Sequence, residues 1–274
     1  MIPLGQGNDH LAYETEAGFI RRFPRRPDPA GLAREARLLA AVARHCPLPV
    51  PQARVDGDHL AYPKLPGACL LDRPDLATPR LVATFAEALR ALQAIPLPEI
   101  ECCADLDDEP LPSWLGEAAA HHATLSRPAA APGGPGRSGQ TAGRCGAATV
   151  SAALAARREA INSFLVAPPP PPSQEKVFSH NDFGAEHLLA DPVTGEATGV
   201  IDFSDAAVTD PAADYGRLYR DFGAPALAVT PAAWRERAIF YARCMVFEDL
   251  AYGLGRHDPR YLDKSVAALK WLFG

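Results

Sequence analysis

Apolar residues recur at helical spacing in several long stretches of this chain and gather into short runs elsewhere, and the two patterns predict helices and strands. Leu32, Ala36, Leu39, Ala40 and Ala43 fall on one helical face and predict a helix over 29–45, closed by the proline-rich run 47–51. Leu81, Phe85, Leu89 and Leu92 predict a second helix over 76–95, ending before Pro96. Further helices are predicted over 114–125, 149–166, 211–221, 231–254 and 258–273, with Phe240, Cys244, Phe247 and Leu250 inward on the longest. Short apolar runs bounded by turn residues predict strands. Two flank a glycine turn within 4–14, one covers 18–24 and stops at Pro24, and one leads in over 176–178. Two hairpins are predicted: 52–55 with 59–63 across Asp56-Gly57-Asp58, and 187–190 with 198–201 across 191–195.

Polar residues around the second hairpin move the reading from fold to chemistry. His180 and Asp182 precede its first strand, His187 opens that strand, and Asp202 closes the second. A hairpin draws the residues at its open end together. Asp182, His187 and Asp202 are therefore expected at one point, although Asp182 and Asp202 lie twenty positions apart. Two carboxylates and an imidazole there suit a base that activates a hydroxyl beside a metal ion.

The order of these residues is that of a kinase catalytic loop and its metal-binding strand: His180-Asn181-Asp182, four residues, His187, then Val200-Ile201-Asp202-Phe203-Ser204. With the continuation from Asp205 to Asp210-Pro211-Ala212-Ala213-Asp214, the chain resembles the aminoglycoside and macrolide phosphotransferase family, antibiotic kinases with a protein-kinase-like fold. The resemblance implies a two-lobed α+β fold. A small antiparallel-sheet lobe over 1–63 binds nucleotide, 64–67 is the hinge, and 68–274 is a helical lobe carrying the catalytic hairpin. The stretch 126–147, rich in Gly, Pro, Ala, Ser and Arg, reads as a mobile insertion.

The same resemblance implies roles. Asp182 accepts or orients the proton of the acceptor hydroxyl, and Asp202 with His187 holds Mg²⁺. Arg22 takes the place of the phosphate-contacting lysine and pairs with Glu35 on the next helix. Gly5 and Gly7 bring backbone N–H groups to the phosphates, and Lys64 stands at the nucleotide's hinge. Two positions depart from the family's pattern: His187 stands for an asparagine, and Arg22 for a lysine. His180 buttresses the loop, and Asp210 and Asp214 hold it. Asp205, Asp221, Glu248 and Asp249 are candidates for an acidic face toward the substrate. The implied reaction transfers the γ-phosphoryl group of ATP or GTP to a hydroxyl of an aminoglycoside, macrolide or peptide antibiotic. Three other readings stand beside it. They are a kinase of a biosynthetic metabolite, a catalytically silent nucleotide-binding module, and a metal-dependent hydrolase using Asp182, His187 and Asp202.

Composition narrows the partners. The 274 residues carry a net charge of −6, the wrong sign for a nucleic-acid binder. The six cysteines show no C-x-x-C spacing, so a zinc site is not expected. His121 and His122 are adjacent and point apart on a helix, which predicts a surface role. With neither a leader pattern nor an apolar span, the expectation is a cytoplasmic protein with free thiols. Its expected partners are a hydroxylated small molecule and a nucleoside triphosphate, with no nucleic acid and no membrane.

Overall fold

The computed structural model describes residues 1–6, 10–127 and 146–274. In chain order the strands and helices run β1 (Ile2–Gln6), β2 (His10–Glu14), β3 (Phe19–Pro24), α1 (Pro29–His45), β4 (Arg54–Asp56), β5 (His59–Pro63), β6 (Ala68–Cys69), α2 (Pro79–Gln93), β7 (Asp105–Leu106) and α3 (Leu111–Leu125). Then follow α4 (Ala147–Ala155), α5 (Arg158–Val166), β8 (Val177–Ser179), β9 (Leu188–Ala190), β10 (Ala197–Val200), β11 (Ala207–Thr209), α6 (Ala212–Phe222), α7 (Ala224–Val229), α8 (Arg235–Arg256) and α9 (Pro259–Leu272). They form two compact units, residues 1–108 with 175–214 and residues 109–174 with 215–274. The hairpin of β9 and β10 thus falls in the same unit as the N-terminal strands.

In the first unit a five-stranded antiparallel sheet has the order β1-β2-β3-β5-β4, which makes β3 its central strand. The carboxylate of Asp28 accepts from the Gly31 N–H at 2.9 Å and Pro29 takes the first helical position, so α1 starts where the sequence places it. Its buried face differs from the expected one. Leu32, Leu38, Leu39, Ala41 and Val42 are buried, while Ala40 is exposed. Leu38 and Val42 bring more apolar area to the core than the alanines, and they set the rotation of the helix. The Thr78 hydroxyl caps α2, whose Leu81, Phe85, Leu89 and Leu92 are all buried. Two three-stranded sheets complete the unit, β10-β9-β6 and β7-β11-β8. Gly199 lets the hairpin lie against the chain before β4: a Cβ there would stand 3.0 Å from the Pro49 carbonyl oxygen, which accepts from the Val200 N–H at 3.0 Å.

The second unit is helical. Phe240, Cys244, Phe247 and Leu250 of α8 are buried, and Trp114 of α3 meets Tyr241 edge-on at 5.3 Å. The helix expected over 149–166 is two, α4 and α5. Where they part, the Arg157 guanidinium donates to the Ala153 carbonyl at 3.2 Å. His122 is half-buried, its ring packed against Phe247 at 5.4 Å, and burial lowers its proton affinity; the expected surface role is corrected for this histidine. Residues 128–145, most of the expected insertion, lie outside the described residues. Cys46, Cys69, Cys102, Cys103 and Cys244 carry free thiols. Among the described residues no helix is long and apolar enough to cross a membrane.

Candidate active site

The hairpin is built by its turn. The Asp191 side chain accepts from the Val193 and Thr194 N–H groups at 2.7 and 3.0 Å, and Leu188, Leu189 and Ala190 pair with Val200, Gly199 and Ala197. At the open end the Ile201 N–H donates to the His187 carbonyl at 3.0 Å. His180 is fully buried between these segments. Its Nε2 donates to the Ile201 carbonyl at 3.0 Å and its Nδ1 accepts from the Asp182 N–H at 3.2 Å. Those two partners fix a neutral tautomer, in keeping with burial, which pushes the imidazole below its usual range. His180 is thus a brace between the loop that carries Asp182 and the end of the second strand.

A second brace is Asp214, whose side chain is wholly buried. Its Oδ2 accepts from the Ser179 hydroxyl at 2.7 Å and the Asn181 N–H at 2.8 Å, and its Oδ1 accepts from the Phe183 N–H at 3.1 Å. One carboxylate thus pins the main chain on both sides of Asp182. Asp210 caps α6 through the Ala212 N–H at 2.9 Å. Asn181 and Asp202 both have left-handed backbones, φ 61° and 62°. That conformation is unfavourable for a residue with a Cβ, and it concentrates at functional sites.

At the centre, His187 stands between two carboxylates. Its Nδ1 donates to the Asp182 carbonyl oxygen at 2.8 Å and lies 3.4 Å from Asp182 Oδ2, while Nε2 lies 3.8 Å from Asp202 Oδ2. Burial opposes a charge on this imidazole, but Asp182 and Asp202 outweigh it and raise its proton affinity. Asp202 also meets Arg22, Nη2 to Oδ1 at 3.1 Å. Burial would raise the Asp202 carboxyl, yet Arg22 and His187 hold it far below the usual carboxylate range. The other arm of the Arg22 fork grips Glu35, and Nη2 also lies 3.1 Å from His10 Nδ1. Burial pushes the Glu35 carboxyl up against the pull of Arg22, and pushes the nearby Tyr62 phenol up to about 12. Arg22, almost wholly buried, therefore ties β3 to α1 and both to the hairpin's second strand.

The remaining sequence candidates are spread more widely. Gly5 pairs with Ala12 in the β1–β2 ladder, and Gly7 lies outside the described residues. Lys64 follows β5; its ammonium meets Glu14 at 2.8 Å and its N–H donates to the Gly18 carbonyl at 2.9 Å. Asp205 is exposed in the turn after Asp202. Asp221 and Asp249 do not form an open acidic face. Both lie buried against Arg220 and Lys264, and the expectation is corrected on that ground. Glu248, one position along α8, is exposed. Sequence reasoning missed Asp107, whose Oδ2 accepts from the Asn181 side-chain amide at 2.8 Å, and His10 beside Arg22. Asp107 sits in an acidic stretch with no periodicity to single it out. A cavity of about 130 Å³, lined by residues including His10, Arg34, Glu35, Cys103 and Phe203, abuts Glu35. Among the described residues no three His, Cys, Asp or Glu side chains are arranged to hold a metal ion by themselves.

An antiparallel sheet whose central basic residue is ion-paired to the following helix, and a hairpin presenting two carboxylates, define the α+β kinase-like class. Within that class, the sequence pattern of the phosphotransferase enzyme family matches residues 1–245, and the chain belongs to that family. The protein is a phosphotransferase. Solved structures with the same fold include the GDP complex of aminoglycoside 2'-phosphotransferase-IIIa, with a TM-score of 0.61 and 20% identity over 98% of this chain and 90% of that one. Another is macrolide 2'-phosphotransferase MphH from Brachybacterium faecium, with a TM-score of 0.60 and 21% identity over 97% and 91%. A third is the streptomycin–ATP ternary complex of APH(2")-IIa, with a TM-score of 0.53 and 18% identity over 98% and 90%. At these identities the likeness is one of fold. A search of curated proteins finds no match.

Proposed function

We propose that this phosphotransferase moves the γ-phosphoryl group of ATP or GTP to a hydroxyl of an antibiotic of the aminoglycoside, macrolide or peptide class, and so confers resistance. The observation that carries the reading is the convergence of Asp182, His187, Asp202 and Arg22 on one point, with Glu35 behind Arg22. Relatives in fold have been solved with GDP and with ATP and streptomycin, which supports a nucleotide co-substrate.

Asp202 offers the carboxylate oxygen that Mg²⁺ prefers, and His187 adds an imidazole nitrogen, a weaker donor for that ion. With Nδ1 committed to the Asp182 carbonyl, His187 turns Nε2 toward Asp202, pairing one imidazole nitrogen with one carboxylate. Two protein donors are enough where nucleotide phosphates complete the shell. Asp202 and His187 would hold the ion, which when bound neutralises charge on the phosphates. Asp182, fixed by His180 and Asp214, orients the acceptor hydroxyl and takes its proton. Arg22, held by Glu35, offers its guanidinium to phosphate oxygens. Positioning and charge neutralisation carry most of the rate in this chemistry.

A panel of aminoglycosides, macrolides and peptide antibiotics, each with ATP or GTP and Mg²⁺, tests the proposal by mass spectrometry. The expected result is a mass gain of one phosphoryl group on at least one compound, absent with Asp182→Ala. Tight nucleotide binding with no product across the panel would overturn it.

A further inference from the structure

We propose that Asp107, acting through Asn181, is a positioning residue for Asp182; this rests on the reading of Asp182 as the group that orients the attacking hydroxyl. Asn181 immediately precedes Asp182 and holds a left-handed backbone at φ 61°. Its N–H is fixed by Asp214 and its side-chain amide by Asp107 Oδ2, each at 2.8 Å. Asp107 is itself anchored. Its N–H donates to the Val208 carbonyl of β11 at 3.0 Å, extending the β7–β11 pairing, and Lys176 ties down the neighbouring Asp108 at 2.6 Å. A carboxylate accepts and cannot donate when ionised, so the amide must turn its NH₂ to Asp107. That leaves the Asn181 carbonyl oxygen facing inward, buried and with no protein partner.

This last feature argues for position over stability. Burying an amide oxygen unmatched destabilises a fold. Glycine would adopt the same backbone without strain and without the orphan atom. An asparagine here is thus a structural liability, and what it adds is a side-chain tether on the residue next to Asp182. Geometry errors of an ångström at a reacting group cost rate far more than binding.

The test uses the full chain with MgATP and MgGTP alone, following hydrolysis with water as acceptor, together with thermal unfolding. Asn181→Gly is expected to keep or raise the Tm while lowering kcat on the order of tenfold, with the nucleotide KM within about twofold of the parent. Asp107→Ala should lower kcat by the same factor, and the double variant should be no slower than either single, since both remove one tether. Asp107→Asn, whose amide oxygen can still accept, should recover most of the rate. An unchanged kcat in Asn181→Gly, or single losses that multiply in the double variant, would overturn the proposal. Asp182→Asn separates the two ways of failing. If it abolishes turnover while Asn181→Gly and Asp107→Ala do not alter it, only the tether falls; if it retains turnover, the role of Asp182 falls and takes the tether with it.

Discussion

Two clusters of charge in this molecule are built from the same residue types and have opposite characters. In the helical unit, Arg220 and Lys264 face Asp221 and Asp249, with contacts of 2.7–3.2 Å; all four are nearly or wholly buried. The signs balance. In the sheet-bearing unit, Arg22 and His187 face three carboxylates, Glu35, Asp182 and Asp202. Negative charge is in excess even with the imidazole protonated. The Asp182 and Asp202 side chains remain 30% and 40% exposed. A closed, neutral cluster has nothing left to offer a ligand. An open one with surplus carboxylate still has charge to offer a cation, and carboxyls whose proton affinity is as strongly perturbed as that of Asp202 cluster at functional sites. Carboxylates alone did not separate the two: both clusters supplied candidates from sequence, and only the partners tell them apart.

The sharpest break of the comparison is expected from Asp202→Asn. Arg22 and His187 hold Asp202 ionised well below the usual carboxylate range, so removing its charge gives up some folding stability, but the fall in Tm should be modest because Arg22 keeps Glu35. Turnover should fall by about 10²-fold or more, the scale for losing one preorganised electrostatic contact at a reacting centre. Parallel measurement of kcat and thermal unfolding checks both halves; a large fall in Tm would place this cluster with the closed kind.

Arg220→Met should show the converse. It leaves Asp221 and Asp249 buried against Lys264 with half their positive charge gone, an effect of about 3–5 kcal/mol for breaking a buried ion cluster. Urea unfolding reads it directly. The fraction that remains folded should bind nucleotide with unchanged Kd, since none of the four residues belongs to the cluster around Arg22. An undiminished stability would mean the cluster is solvated and its carboxylates available after all.

What sequence made visible follows the same division. The hairpin at 187–201 was readable because its signals are local: Asp191 and Gly195 close the turn and the strands are apolar. The bounds of α1 were readable because Asp28 and Pro29 cap it. The Arg22–Glu35 pair came from motif order. By contrast β7 and β11, of two and three residues, carry no pattern of their own; β7 exists because residues about a hundred positions away pair with it. Asp107 was invisible for that reason, and so was its hold on Asn181. The break between α4 and α5 falls in a run of good helix formers with no glycine or proline to announce it. Asp221 and Asp249 were misread because burial, not residue type, decides whether a carboxylate is spent.

Arg22→Lys is expected to have an intermediate effect. A lysine ammonium is a point charge on a longer stem and cannot hold Glu35 with one arm and Asp202 with the other. The site should keep its net charge and lose its geometry. A rise of about tenfold in the nucleotide KM, roughly 1.4 kcal/mol, with a smaller change in kcat, would fit a residue that positions phosphates. A collapse of kcat with KM unchanged would instead put Arg22 in the transition state alone.

The smallest effect should come from a third ion pair, which serves as the baseline for the other two. Arg34 on α1 reaches Asp105 of β7 through one guanidinium nitrogen, at 2.7 and 2.8 Å to the two carboxylate oxygens. Both contacts are short, yet its side chains are 46% and 73% exposed. Solvent screens such a pair and holding two long side chains offsets the attraction, so Arg34→Ala should destabilise by about 0.2–1 kcal/mol. For a chain of this size that is a Tm decrease of no more than about 4 °C, and 0.5 M salt should shrink it further. Arg34 neighbours Glu35 in sequence, but its hydrogen bonds go to Asp105 and it touches none of the Asp182, His187 and Asp202 group, so kcat and KM should stay within about twofold of the parent. A loss as large as that of Arg22→Lys would show that α1 is held in register from β7 and not by Arg22, and the line between structural and functional charge would have to be redrawn to include this exposed pair.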